Sequence, residues 1–271
     1  MIRELVDEDL PALRDLALRD EAVNAFVLAQ TVRPWRSLGA TVFGVFDDGG
    51  LIAACWAGAN VVPIALDPSL APLFAYALHA RSHRYASIFG PSDAVLALLP
   101  ALEAFGHVPL EVRRSQPFLL HDGEVEVEAD PSVRAASMDD FDRILPASVA
   151  MFEEEVGYSP FLGGQENYRR RVLNLLRQGH TLARFSPAGQ VLFKADLGVV
   201  TRGVCQIQGV WMDPAQRGRG MAAARVAAVV EYSRRVAGVA SLYVNDYNTA
   251  ARKVYEKVGF REHGEFATVL Y

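Results

Sequence analysis

The feature that most constrains this chain is a cluster of glycines and arginines set between a strand-like and a helix-like segment. Residues 209–222 read Gly-Val-Trp-Met-Asp-Pro-Ala-Gln-Arg-Gly-Arg-Gly-Met-Ala. The apolar run 205–212 predicts a strand, and Asp213-Pro214 ends it, the proline stiffening the exit by fixing its own φ. Ala222, Ala223 and Ala224 then open an Ala-rich helix expected to reach residue 236. Gly218 and Gly220 permit positive φ and admit a ligand where a Cβ would otherwise stand. Such a turn aims successive N–H groups inward at the positive end of a helix dipole, the chemistry of a diphosphate cradle. Arg217 and Arg219 add charge at its rim, and Met221 and Ala222 complete the turn into the helix.

Two better-known phosphate loops do not fit. A Walker loop requires Gly-Lys-Ser/Thr, and Ala222 stands where the metal-binding hydroxyl would be. A dinucleotide-binding loop has a different glycine spacing and sits in repeated βαβ units, which are not evident here.

A second block follows at residues 243–260. Asn248 is suited to capping the helix expected over 249–258. Ala251, Val254, Tyr255 and Val258 form its apolar stripe, and Gly259 suits the position just past its end. Taken together the two blocks resemble the GNAT acetyltransferase superfamily. Arg217-x-x-Gly220-x-Ala222 is similar to that family's R/Q-x-x-G-x-G/A signature. Asn248, Ala251, Tyr255, Gly259 and Phe260 match its N-x-x-A-x-x-x-Y-x-x-x-G-F pattern.

The resemblance covers roughly residues 132–271 and implies a specific assignment. The donor is acetyl-CoA, with its diphosphate on Arg217, Gly218, Arg219, Gly220, Met221 and Ala222. The pantetheine arm lies along the backbone of Val210, Trp211 and Met212, in the gap where the strand carrying Asn245 splays away. Asn245, Asn248 and Ala251 complete the donor site, and Tyr255 protonates the departing thiolate. The acceptor implied is an amine, on a small molecule or a protein, and acyl groups larger than acetyl stay open. The alternative is a module that binds acetyl-CoA for regulation and transfers nothing.

The base that deprotonates the amine is harder to assign. Members of the family often carry a glutamate on the strand before the loop, but this strand reads Cys205-Gln206-Ile207-Gln208-Gly209. Gln206 and Gln208 orient an acceptor or a water and cannot take its proton. The acidic run Glu153-Glu154-Glu155 beside Phe152 and Tyr158 supplies the replacement, with Glu154 expected ahead of Glu155 as catalytic base. Phe152 and Glu155 are expected to line the acceptor site. A solvated helix face is the competing reading of the same run.

The chain also states one pattern twice. Each half opens on an acidic helix start, then a hairpin (41–46 with 51–57, and 181–185 with 191–200). Each continues with an apolar strand ending in Asp-Pro, a helix, and a further strand, helix and strand. Asp67 and Asp213 lie 146 positions apart, Ser87 and Ser241 lie 154 apart, and the acidic, turn-rich stretch 123–131 divides the copies. After Asp67-Pro68 the first copy reads Ser-Leu-Ala-Pro-Leu, with no glycine and no arginine.

The fold expected is therefore α+β, two GNAT-like domains in tandem, each a mixed, mostly antiparallel sheet flanked by helices. Residues 1–122 form a degenerate copy and residues 132–271 the catalytic one. The chain resembles a group of bacterial proteins in which an N-terminal domain of unknown function precedes such an acetyltransferase domain.

Composition narrows the partners. A net charge of −5 lacks the basic footprint of a general nucleic-acid binder. No apolar run approaches the roughly 18–20 residues of a membrane span, and residues 1–10 are acidic where a signal peptide is apolar. A cytosolic protein is expected, its oligomeric state open. The six histidines show no metal-ligand spacing, so no metal is expected. Cys55 and Cys205 sit in apolar runs and should be buried and reduced.

Overall fold

The computed structural model describes residues 1–32, 35–81, 85–162 and 164–271. The strands in chain order are β1 (Ile2–Glu4), β2 (Thr41–Asp47), β3 (Gly50–Ala57), β4 (Asn60–Ile64), β5 (Ser87–Pro91), β6 (Glu111–His121), β7 (Arg134–Ala135), β8 (Thr181–Phe185), β9 (Val191–Val200), β10 (Val204–Met212), β11 (Val239–Tyr243) and β12 (Arg261–Leu270). The helices are α1 (Leu10–Leu18), α2 (Ala25–Gln30), α3 (Ala71–Ala80), α4 (Ser92–Glu103), α5 (Phe141–Val156), α6 (Glu166–Arg177), α7 (Ala222–Ser233) and α8 (Thr249–Val258).

Two compact units result, and neither is one continuous stretch of chain. The first comprises Met1–Leu119, Tyr243–Asn248 and Glu262–Tyr271; the second comprises Leu120–Leu242 and Thr249–Arg261. A linear division near residue 122 therefore leaves out an exchange: most of the last strand of the chain counts with the first unit.

In the first unit the strand order is β1-β2-β3-β4-β5-β12-β6. β2, β3 and β4 run antiparallel in sequence, β4 pairs parallel with β5, and β12 lies antiparallel to β5 from Phe266↔Pro91 to Leu270↔Ser87. Alternation along these strands feeds two cores. One packs Phe43, Cys55, Ile88 and Val269 with Phe74 and Leu78 of α3 and Leu98 of α4. The other packs Val42, Trp56 and Ile64 with Leu13 and Leu16 of α1 and Val27 of α2.

The second unit orders its strands β11-β10-β9-β8-β7. β8, β9 and β10 are antiparallel, and β10 pairs parallel with β11. Ile144, Leu145 and Ala147 of α5 meet Val172 and Leu176 of α6 over Ala183 and Val191 of the sheet. α7 packs against β9 and α8. Before α5, Asp140 accepts from Ser137 N at 2.9 Å and from Arg134 at 2.8 and 3.1 Å. These bonds hold the Asp140 carboxylate down to about 2, against partial burial that pushes the other way.

β1, β7 and α2 were not foreseen from the sequence. They are short, and the first two exist by pairing with β2 and β8. β6 begins at Glu111. Its first residues, Glu-Val-Arg-Arg-Ser-Gln, show no apolar run and are held as strand by β12, with Leu110 N bonded to Leu270 O at 2.7 Å.

Candidate active site

The site is built where β10 gives way to α7. Pairing of β10 with β11 runs Val204↔Val239, Cys205↔Ala240 and Gln206↔Ser241 and stops there, while β10 continues to Met212. Beyond Gln206 that edge of the strand has no β11 partner, which leaves room for an added extended ligand. On its other edge β10 is interrupted too. Gln208 faces Asp196 and Trp211 faces Lys194, so Gly209 and Val210 stand across from Ala195 alone. This is a two-against-one bulge, and Gly209 adopts φ +56°, which an L side chain takes only at a cost.

The strand ends at Asp213, whose carboxylate accepts from Ala215 N at 2.7 Å and caps a single 3-10 turn. Gly218 and Gly220 follow at φ +71° and +74°, and a Cβ built on either meets no atom within 4 Å. Both glycines therefore serve backbone conformation and leave open space above the loop. α7 begins at Ala222, with Met221 just before it. Gly218, Arg219 and Gly220 are exposed; Val210, Trp211, Met212, Met221 and Ala222 are half-buried.

Arg217 folds back from the loop. Its Nε donates to Met212 O at 3.0 Å, and one terminal nitrogen donates to both oxygens of Glu154 at 2.9 and 2.7 Å. Trp211 Nε1 donates to the same Glu154 at 3.2 Å. Both partners of this ion pair are about half exposed, each at 46%.

α8 carries Tyr255 on its buried face, and its end is fixed by Gly259 N bonding Glu256 O and Phe260 N bonding Tyr255 O, both at 3.0 Å. The Tyr255 ring packs edge-on to Phe260 at 5.7 Å. Burial pushes its hydroxyl well above the ordinary phenol range, and the charge of Glu155 pushes it the same way. Glu155 acts likewise on Tyr168, whose hydroxyl is pushed up to about 12, chiefly by burial. Phe152 contacts Tyr158 and Tyr168 edge-on at 5.7 and 5.6 Å, forming an aromatic wall at the end of α5.

Gln206 is buried, and its Oε1 accepts from Gln208 Nε2 at 2.7 Å, while Gln208 Oε1 accepts from Arg171 at 3.4 Å. Asn245 and Asn248 fall in the first unit, where Asn245 accepts from Gln116 at 2.8 Å. Ala251 is half-buried on α8. Cys205 is buried, and burial pushes its thiol up to about 12. Among the described residues no cluster suited to a metal occurs, and no helix is long and apolar enough to cross a membrane.

Lys194 and Asp196 are not singled out by the sequence. Their signal was two charges at alternate positions of the apolar strand Val191–Val200. The first unit shows what the loop adds. Asp67 accepts from Ser69 N at 2.9 Å and caps an identical 3-10 turn, but α3 follows at once from Ala71. β4 and β5 also part early, after Val61↔Ile88. There Pro63, which has no N–H to offer, lies within 3.4 Å of a Cβ placed on Gly90.

Comparison with known proteins finds two family models that match the chain. Residues 148–260 match the acetyltransferase (GNAT) family model, and residues 40–144 match a domain of unknown function, DUF4081. A GNAT-family acetyltransferase from Colwellia psychrerythraea matches at 13% identity and a TM-score of 0.63, over 100% of this chain and 99% of that one. A tandem GNAT protein from the clavulanic acid biosynthesis pathway matches at 14% and 0.60, over 99% and 97%. A GCN5-related N-acetyltransferase from Sphaerobacter thermophilus matches at 19% and 0.63, over 99% and 94%. At these identities the likeness is one of fold, and the fold is the tandem α+β arrangement expected from the repeat. No curated protein matches the sequence.

Proposed function

With residues 148–260 belonging to the GNAT acetyltransferase family, we propose that the chain moves an acetyl group from acetyl-CoA directly to a primary amine, on a small molecule or a protein. One observation carries this reading. The open edge of β10 past Gln206 runs straight into a loop whose two positive-φ glycines face free space.

On this reading the backbone of Val210, Trp211 and Met212 bonds the pantetheine arm as an added strand. Arg217, Arg219 and the N–H groups of 218–222 hold the diphosphate. Asn245, Asn248 and Ala251 keep a donor-binding role by motif alone. Tyr255 supplies the proton for the leaving thiolate; its raised hydroxyl stays protonated throughout the neutral range.

On this reading the preferred base is Glu155. Glu154, expected first, is occupied by Arg217 and Trp211, whereas the charge of Glu155 acts on both Tyr255 and Tyr168. Glu155 is therefore proposed as the base, beside an acceptor wall of Phe152 and Tyr158, with Gln206 and Gln208 orienting the acceptor.

The second reading, a regulatory module that binds acetyl-CoA without turnover, is favoured by the amides Gln206 and Gln208 on β10. Release of free thiol from acetyl-CoA across a panel of amines decides between them. Turnover on at least one amine is expected; binding without turnover on any would favour the regulatory module. Tyr255→Phe should lower kcat about 10- to 100-fold with the KM for acetyl-CoA within about twofold. An unchanged kcat would remove Tyr255 from the chemistry.

A further inference from the structure

Lys194 is completely buried, which an ammonium tolerates only when its charge is met. Its Nζ donates to Asp196 Oδ2 at 2.6 Å and to Gly209 O at 3.2 Å. Asp196 is buried as well, and its other oxygen accepts from Thr181 Oγ1 at 2.8 Å. The pair therefore reaches from β9 to the bulge of β10, and it grips the one carbonyl there that belongs to the positive-φ glycine. A Cβ on Gly209 would stand 3.0 Å from Asp196 Oδ2, 3.1 Å from Met151 Cε and 3.2 Å from Lys194 Nζ. Contact of the bulge with the pair is thus tight from two directions.

The peptide following Gly209 is trans, as are all the others among the described residues. In a trans peptide the C=O and the next N–H point opposite ways. Drawing Gly209 O down onto Lys194 therefore turns the N–H of Val210 away from the pair. A buried ion pair is a weak source of net stability and a good means of specifying one geometry.

We propose that Lys194 and Asp196 are positioning residues that set the β10 bulge and so aim the Val210 N–H at the thioester carbonyl. This rests on acetyl-CoA lying along β10, as proposed above. When the amine nitrogen bonds to the carbonyl carbon, negative charge gathers on that oxygen. It is dispersed again when the C–S bond breaks and the thiolate takes a proton. An N–H already aimed at the oxygen costs no reorganisation at that moment. Asp196 fixes the ammonium, the ammonium fixes the carbonyl, and neither side chain need touch the donor.

The test uses the full chain with acetyl-CoA labelled with carbon-13 at the carbonyl, read by infrared difference spectroscopy and by calorimetric binding. Three variants are compared. Lys194→Met leaves a buried carboxylate and risks unfolding; Lys194→Met with Asp196→Asn removes both charges; Gly209→Ala presses on the pair from the strand. For each folded variant, affinity for CoA should stay within about threefold of wild type. The bound carbonyl band should move to higher frequency as its hydrogen bond is lost. With an accepted amine, kcat should fall about 10- to 100-fold at little change in the KM for acetyl-CoA. A band unmoved in the folded double variant and in Gly209→Ala would overturn the proposal. Wild-type protein that fails to bind acetyl-CoA would instead overturn the functional reading beneath it.

Discussion

Single side chains decide how the proposed donor loop is presented. Arg217, the residue the motif assigns to the diphosphate, is held by Glu154 at 2.7 Å, so an incoming anion competes with a carboxylate for it. Because the pair is half exposed, its strength is that of a surface ion pair, about 0.2–1 kcal/mol. Glu154→Gln should therefore tighten acetyl-CoA binding by about two- to fivefold at low salt, with the gain shrinking as salt rises. Its pH–rate profile should match wild type, and a loss of turnover at lower pH would return the base to Glu154. Asp140 carries the clearest pH dependence. Its folded carboxylate sits near 2, below the unfolded value, so its stabilisation is complete above about pH 4 and is lost as pH falls towards 2. Asp140→Asn should cost roughly 2 kcal/mol at neutral pH and flatten acid unfolding over that window, measured by urea titration at a series of pH values. Equal acid sensitivity in wild type and variant would show that Asp140 does not govern it.

At the scale of elements, the instructive comparison is between the two Asp-Pro corners. Asp67 and Asp213 cap the same 3-10 turn with the same kind of bond, at 2.9 Å to Ser69 N and 2.7 Å to Ala215 N. The turn is therefore structural in both units, and the five residues 217–221 that follow it occur in the second unit only. Replacing either aspartate by alanine should cost about 1 kcal/mol by thermal or urea unfolding. Only Asp213→Ala should also weaken acetyl-CoA binding, since only that turn feeds the glycine loop. Equal effects of the two variants on binding would contradict the assignment of the donor to the second unit. The same logic applies to the parted strands. β4 and β5 separate as β10 and β11 do, but Pro63 sits against Gly90 in the first case.

For the whole molecule, the exchange of chain between units carries a prediction that a linear domain map would not make. Residues 262–271 pair with β5 and supply Ala267 and Val269 to the core of the first unit. Deleting them should therefore loosen the first unit, with amide exchange rising along β4 and β5. Exchange in α5, α6, β8 and β9 of the second unit should change least. Uniform protection of β5 after the deletion would show that β12 is dispensable to that core.

Taken by itself, the sequence determined the local grammar of this protein. Alternation set the hairpins at 41–57 and 181–200. Asp-Pro ended the strands at 67 and 213, and the apolar stripe of 249–258 set α8. Gly218 and Gly220 marked the loop because positive φ is written in the residue type. Such features rest on interactions within a few residues, and so they are legible in order along the chain. What depended on distant partners was decided only by the tertiary structure. The bulge at Gly209, the Lys194–Asp196 pair beneath it and the engagement of Glu154 by Arg217 all join residues on different elements. The allotment of β12 to the first unit is of the same kind. A run of glutamates such as 153–155 offers no local reason for one carboxylate to find an arginine while its neighbour's charge acts on a buried tyrosine. The turn of α5 and the path of β10 decide which partner each carboxylate meets.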